Sequence, residues 1–209
     1  MSDPVFSRIA IIGVGLIGSS IARAAAEYGA AGEVILYDAS PDVRARAAGL
    51  GLGTVAPTLE AAVSEADCVI VCVPVGAIGA VAAGAVPSMK YGAILTDVGS
   101  VKSEAARALH GAADGRIHVI PGHPIAGTEQ SGPEAGFPTL FRGAWHILTP
   151  LAGQDEAYQT ATDQLAAFWT QLGAKVEAMD AGRHDRVLAI TSHLPHLIAF
   201  NIVTTAFDL

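Results

Sequence analysis

The chain has 209 residues, with 12 Lys+Arg against 20 Asp+Glu, a formal net charge of −8, 51% hydrophobic residues and only 15% charged residues. Such a balance excludes a disordered chain, which lacks the apolar content to build a core. It also excludes a nucleic-acid-binding face, which needs clustered Lys and Arg. The length predicts one large or two small domains.

Arg8 to Ile12 is a short, β-branched apolar run that stops at glycines and reads as a buried strand. The apolar stretch from Ala10 onward follows Arg8 and reaches an Ala-rich patch, as a secretory signal would. The spacing of Gly13, Gly15 and Gly18 favours a folded element, and the run is too short and Gly-rich for a membrane span. A helix is predicted from Leu16 to Tyr28, closed by Gly29. A strand follows from Glu33 to Tyr37, and Pro41 opens the next helix at a position where its missing N–H does no harm.

Asp67 to Val73 is the strongest strand signal, ended by Pro74. Its two cysteines, Cys68 and Cys72, would lie about 13 Å apart on an extended strand, too far for a disulfide. They read as buried thiols of a reducing compartment, so a cytoplasmic location is expected. Gly92 to Asp97 is predicted as a strand, Val101 to Leu109 as a helix, and His118 to Pro121 and Trp145 to Thr149 as later strands. Apolar strands alternating with helices predict an α/β fold, a mostly parallel sheet covered on both faces. Residues 1–179 are read as a dinucleotide-binding domain. Residues 180–209 show no strand signal and are read as helix interrupted by Pro195. They are too few to bury a core alone, so they are expected either to pack onto the first domain or to begin a helical domain that this chain does not complete; Ala206 to Leu209 carries no stop signal.

Gly13-Val14-Gly15-Leu16-Ile17-Gly18 fits the G-x-G-x-x-G pattern between a strand and a helix. Gly13 permits the tight turn, Gly15 lets a pyrophosphate approach the backbone, and Gly18 lets the helix pack on the strand. The helix N-terminus, at Leu16 and Ile17, offers N–H groups to the phosphates. Asp38 follows twenty residues after Gly18, where a carboxylate can accept hydrogen bonds from both adenosine ribose hydroxyls and repel a 2′-phosphate. NAD is therefore the expected cofactor. Val73, Pro74 and Ser100, at the carboxyl ends of strands, complete the predicted cofactor set.

Two further segments carry polar groups beyond the needs of a loop: Thr96 to Lys102, and Pro121 to Gly132. Both follow strands, so both should face the cofactor crevice. His123, held between Gly122 and Pro124, is the natural proton acceptor near neutral pH. Lys102 reads equally well as a solvated side chain. In the C-terminal helix Asp185, Ser192 and His196 fall within about 20° of one face. The pair His193-x-x-His196 has no Glu or Cys nearby to complete a zinc site.

Gly13 to Ser19, Asp97-Val98-Gly99-Ser100-Val101-Lys102, Gly122 to Gly132, Leu148-Thr149-Pro150, and His184-Asp185 with Ser192-His193-Leu194-Pro195-His196 together resemble the prephenate/arogenate (cyclohexadienyl) dehydrogenase family of tyrosine biosynthesis. The resemblance spans essentially the whole chain, and the stretch around His123 is its most specific part. It implies NAD-dependent oxidative decarboxylation of prephenate to 4-hydroxyphenylpyruvate, or of arogenate to tyrosine. In that family the residue matching His123 takes the ring-hydroxyl proton, and the one matching Ser100 contacts this His and the nicotinamide. By the same resemblance Thr128 and Glu129 shape the substrate side of the pocket. Ser192 and His196 close the site from a helical domain that forms a homodimer. The family's carboxylate-binding Arg has no counterpart here: Arg142 and Arg183 lie outside its motif. A β-hydroxyacid dehydrogenase or imine reductase on a similar plan, and a non-catalytic NAD-binding module, are the alternative readings. A β-hydroxyacid enzyme would place Lys or Asp where this chain has Ser192 and His196.

Overall fold

A computed structural model describes residues 3–207. Six strands, β1 (Phe6–Ile12), β2 (Ala31–Tyr37), β3 (Thr54–Val55), β4 (Cys68–Val71), β5 (Ile94–Asp97) and β6 (His118–Val119), form a parallel sheet in the order β3-β2-β1-β4-β5-β6. The order reverses between β1 and β4. In an open α/β sheet that reversal leaves a crevice at the carboxyl ends of the strands, where ligands bind.

The strands are apolar throughout because alternate side chains enter different cores. Ile9, Ile11, Cys68 and Ile70 pack under α1 (Leu16–Tyr28) and α6 (Glu156–Gln171). Ala10, Ile12, Val69 and Val71 pack under α3 (Leu59–Val63), α4 (Ile78–Ala85) and α5 (Lys102–Ala112). The remaining connection, α2 (Pro41–Gly49), starts with Ser40 accepting the Val43 N–H and with Pro41 in its first turn.

The predicted strand His118 to Pro121 divides into two. β6 ends at Val119, and the chain crosses at Ile120 and Pro121 to β7 (Gly122–Pro124) in a second sheet. Pro121 has no N–H to donate to a ladder, so the crossing falls where a strand would be weakest. β7 pairs antiparallel with β8 (Trp145–Leu148), and β8 pairs parallel with β9 (Lys175–Ala178). Cys68 and Cys72 are both free thiols. Burial pushes each thiol above the ordinary range.

The C-terminal segment starts with α7 (Ala181–Leu188), continues through a π-helical turn at Ala189–His193, and runs on as α8 (Leu194–Phe207). The predicted interruption at Pro195 is thus a widened turn and not a break. Proline offers no N–H and crowds the preceding turn, and an i→i+5 turn just before it relieves both. α7 buries His184 and Leu188, whereas α8 buries no residue and exposes Leu197, Phe200, Ile202 and Val203. Ala181–Phe207 is 27 residues and contains an 18-residue window of mean hydropathy 1.4, long and apolar enough to cross a membrane by length and composition.

The core carries a polar anomaly. His146 on β8 is fully buried, its ring 3.8 Å from the Trp169 indole and nearly parallel to it. Neither ring nitrogen finds a hydrogen-bond partner among the described residues. Burial holds its pKa well below 6.5, with Lys102 and His123 acting in the same direction. The unfolded chain, titrating near 6.5, therefore binds the extra proton, and stability present above that pH is lost as pH falls. His146→Leu should flatten urea-denaturation stability between about pH 7 and pH 5, removing up to about 1.4 kcal/mol per pH unit from the slope. An unchanged slope would show that this imidazole is not buried in its neutral form.

Candidate active site

The turn from β1 into α1 forms one wall of the crevice. Gly13 has φ +97°, and a Cβ there would collide with the Cys72 carbonyl, so no larger residue fits. Its N–H donates to the Tyr37 carbonyl at 2.8 Å. A Cβ on Gly18 would strike the carbonyl of Gly13, which confirms close helix–strand packing. Gly15 differs: a Cβ there would meet nothing within 4 Å. Space beside the backbone is thus left open at the N-terminus of α1, where Gly15 as N-cap supplies no side chain to the first-turn N–H groups. Free N–H groups and the positive end of a helix facing open space fit the pyrophosphate of a dinucleotide.

Asp38, just past β2, is held at both oxygens: Oδ2 accepts the Val14 N–H and Oδ1 accepts the Ser40 N–H, each at 2.9 Å. Each carboxylate oxygen retains capacity for a ribose hydroxyl. Arg44 folds back to donate to the Asp38 carbonyl at 2.6 Å and lies over the Tyr37 ring. A cleft of about 440 Å³ is lined by Gly15, Leu16, Ile17, Val73, Pro74 and Ser100, and His123 shares it. The predicted cofactor residues other than Gly13, Gly18 and Asp38 therefore meet in one cavity. Gly13 and Gly18 shape its wall.

His123 sits on β7 opposite Ile147 and is 9% exposed. Its Nδ1 lies 2.9 Å from Nε2 of His184 on α7, and His184 Nδ1 lies 2.9 Å from Oδ1 of Asp185. The Asp185 carboxylate also accepts the backbone N–H groups of Lys102 (2.7 Å) and Ser103 (2.9 Å). It therefore caps α5 from another helix, since the N-cap residue Val101 makes no side-chain cap. Burial is the main reason that the His123 pKa falls to about 3, followed by the neighbouring His184 and Lys102. The imidazole is neutral at neutral pH and able to accept a proton.

Lys102, which the sequence allowed to be solvated, is fully buried. Its Nζ donates to Asp97 Oδ2 at 2.5 Å and to the Gly122 carbonyl at 2.6 Å. Asp97 also accepts the N–H groups of Gly99 (2.8 Å) and Gly122 (3.3 Å). Both backbone polar groups of the residue preceding His123 are thus held by one ion pair. Burial pushes the Asp97 carboxyl up and the Lys102 ammonium down, and their mutual attraction opposes both shifts.

Other predicted site residues lie farther out. Ser100 is exposed at the cleft rim. Thr128 and Glu129 are exposed on the loop after β7 and do not line the cleft; Thr128 Oγ1 accepts the Gln130 N–H at 3.3 Å. That loop returns to α1, where the Phe137 N–H donates to Ser20 Oγ at 3.1 Å, and Glu134 pairs with Arg46. Ser192 is half-buried and His196 exposed. The π turn between Asp185 and His196 upsets the even 100° count that put these residues on one face. No group of three His, Cys, Asp or Glu side chains among the described residues could hold a metal.

The sequence reading put Asp97 in a segment facing the crevice and His184 in a motif, but it gave neither a role, and it gave Asp185 no partner. Adjacent carboxylate and imidazole at the start of a helix was the available signal, but their partners lie more than 60 residues away. Lys102→Met should destabilise the fold by about 3–5 kcal/mol in urea denaturation, because it strands a buried carboxylate. Adding Asp97→Leu should recover part of that loss; a Lys102→Met protein as stable as the parent would show that the pair is not ionised.

A family model for the nucleotide-binding domain of prephenate dehydrogenase matches residues 21–178, and one for its dimerization domain matches residues 180–208. The chain is 46% identical over 200 residues to a cyclohexadienyl dehydrogenase of Zymomonas mobilis, covering 95% of this chain and 67% of that protein. It is 32% identical to a prephenate dehydrogenase of Lactococcus lactis, covering 96% of this chain and 54% of that one. The structure of prephenate dehydrogenase from A. aeolicus, in complex with hydroxyphenyl propionate and NAD+, superposes with a TM-score of 0.87 at 31% identity, covering 100% of this chain and 71% of that one. The chain thus spans between about half and 67% of the length of these two curated relatives. With its crevice, its buried imidazole and these likenesses together, the chain belongs to the prephenate dehydrogenase family.

Proposed function

We propose that this chain supplies the dinucleotide site and the proton acceptor of an NAD-dependent dehydrogenase acting on prephenate, arogenate or both. The observation that carries the reading is His123, neutral and buried, opening into the same cleft as the first turn of α1. Gly13, Gly15 and Gly18 with the α1 N-terminus would hold the pyrophosphate, and Asp38 the adenosine ribose. When bound there, NAD supplies a hydride acceptor. Asp38 favours NAD over NADP, since a 2′-phosphate would meet its negative charge.

Both candidate substrates carry a ring hydroxyl para to a carbon bearing a carboxylate. As the hydride leaves the carbinol carbon, His123 takes the hydroxyl proton, so that a carbonyl can form without a free cation on oxygen. Loss of CO2 from the opposite carbon returns the electron pair to the ring, which becomes aromatic. The proton held by His123 can then return to the phenolic oxygen, so that no net proton is consumed. By the same reading Ser100, which lines the cleft together with His123, would contact the reacting end, and Thr128 and Glu129, on the loop after β7, would border the substrate side.

The apolar side chains that α8 leaves exposed support a homodimer built through this helix, in keeping with the family model that it matches. Asn201, Thr204 and Thr205 interrupt its apolar surface, which favours a protein partner over lipid. Two free thiols support a reducing, cytoplasmic location.

Mixing the full-length polypeptide with NAD and either acid should raise the absorbance of NADH, and no turnover on either acid removes the reading. His123→Asn should lower kcat by roughly 10²- to 10⁴-fold and leave NAD affinity little changed. Equal loss of both would contradict the role given to His123.

A further inference from the structure

We propose that His184, held by Asp185, is a positioning residue that fixes His123 in its Nδ1–H tautomer and leaves Nε2 bare toward the cleft. In turnover the consequence rests on the role given to His123 above. The tautomer itself is a property of the protein without substrate.

The assignment follows from a chain of hydrogen bonds that begins at Asp185. Its carboxylate takes two backbone N–H groups from the start of α5 at 2.7 and 2.9 Å, an arrangement that only an acceptor can satisfy. Consistent with this, its pKa lies near 2, with bonds to Ser103, Lys102 and His184 outweighing partial burial. Facing an ionised acceptor at 2.9 Å, His184 Nδ1 must carry the proton. Burial lowers the His184 pKa, so this imidazole is neutral and its Nε2 has only a lone pair. That lone pair lies 2.9 Å from His123 Nδ1, which must therefore be the donor. A neutral His123 with its proton on Nδ1 has a bare Nε2, the nitrogen left for the cleft. With both imidazoles neutral, no other tautomer pattern fills these contacts.

The base and its orienting group come from different parts of the chain. His123 lies on β7 within the segment matched to the nucleotide-binding domain, and His184 and Asp185 lie within the segment matched to the dimerization domain. Docking of α7 on α5 through Asp185 is then what makes the base competent. An imidazole held in the wrong tautomer presents an N–H where a lone pair is needed, and losing the orienting group costs orders of magnitude in rate.

The test is long-range ¹H–¹⁵N NMR of the histidine rings in the full-length protein without substrate, together with two variants. His123 should show a protonated Nδ1 and an unprotonated Nε2. His184→Gln keeps an oxygen able to accept from His123 Nδ1, whereas His184→Phe removes the acceptor. The Phe variant should lose the Nδ1–H signature, and its kcat should fall by roughly 10²-fold or more, with NAD affinity and KM little moved. The Gln variant should recover most of that rate. An Nε2–H or freely exchanging His123 in the parent protein overturns the proposal even if no variant folds. So does a Phe variant with unchanged kcat, or a Gln variant no better than Phe. An Nδ1–H His123 in a protein that oxidises neither acid overturns the function proposed above and leaves the tautomer assignment standing.

Discussion

Asp97 and Lys102 meet at 2.5 Å with both side chains removed from solvent, and the geometry of the whole site depends on that contact. The pair joins the end of β5, the start of α5 and the start of β7. It binds the N–H and the carbonyl of Gly122 together, which fixes the backbone immediately before His123. Such a pair is a poor source of stability, because desolvating two charges consumes most of their attraction. Its value here is geometric. Lys102 satisfies Asp97, both satisfy Gly122, and the neighbouring cation helps to keep His123 unprotonated. An apolar pair of equal volume would fill the space but would leave the Gly122 amide and carbonyl without partners.

Two helices begin at the carboxyl edge of the sheet on either side of this pair, and the protein uses their positive ends differently. α1 starts at a glycine that contributes no cap, beside open space, so its first-turn amides remain available to a ligand. α5 starts under the carboxylate of Asp185, which takes its amides at Lys102 and Ser103. One helix end is left open for a small molecule, and the other is spent on attaching the C-terminal segment. In a chain of net charge −8, the uncapped N-terminus of α1 is a local source of positive potential beside the cleft, which suits anionic ligands.

Much of this was readable in the sequence because local chemistry determined it. The glycine turn, the acid after β2 and the apolar strands each follow from backbone geometry or burial within a short window. His123 was identifiable because Gly122 and Pro124 restrict the chain on both sides. What escaped was tertiary. The weakly amphipathic α4 and the short β3 carry little periodic signal of their own. β6 and β7 read as one strand because a crossing between sheets leaves no mark except Pro121. Lys102 looked like any helix-starting lysine until Asp97, five residues earlier, was found folded against it. The relay through His184 joins residues 61 apart and could not be inferred from either neighbourhood alone. Ser192 and His196 were aligned by a uniform helical count, which the wide turn at Ala189–His193 interrupts.

That wide turn also separates the two tasks of the C-terminal rod. Upstream, α7 is keyed to the sheet by His184 and Asp185; downstream, α8 leaves its apolar side chains exposed all round. Removing one residue from Ala189–His193 would tighten the coil and swing everything beyond it by about 100°, while the upstream half stayed locked. Phase between α7 and α8 is thus carried by a single surplus backbone unit, so an insertion or deletion at this point would re-aim α8 without touching a residue of the cleft.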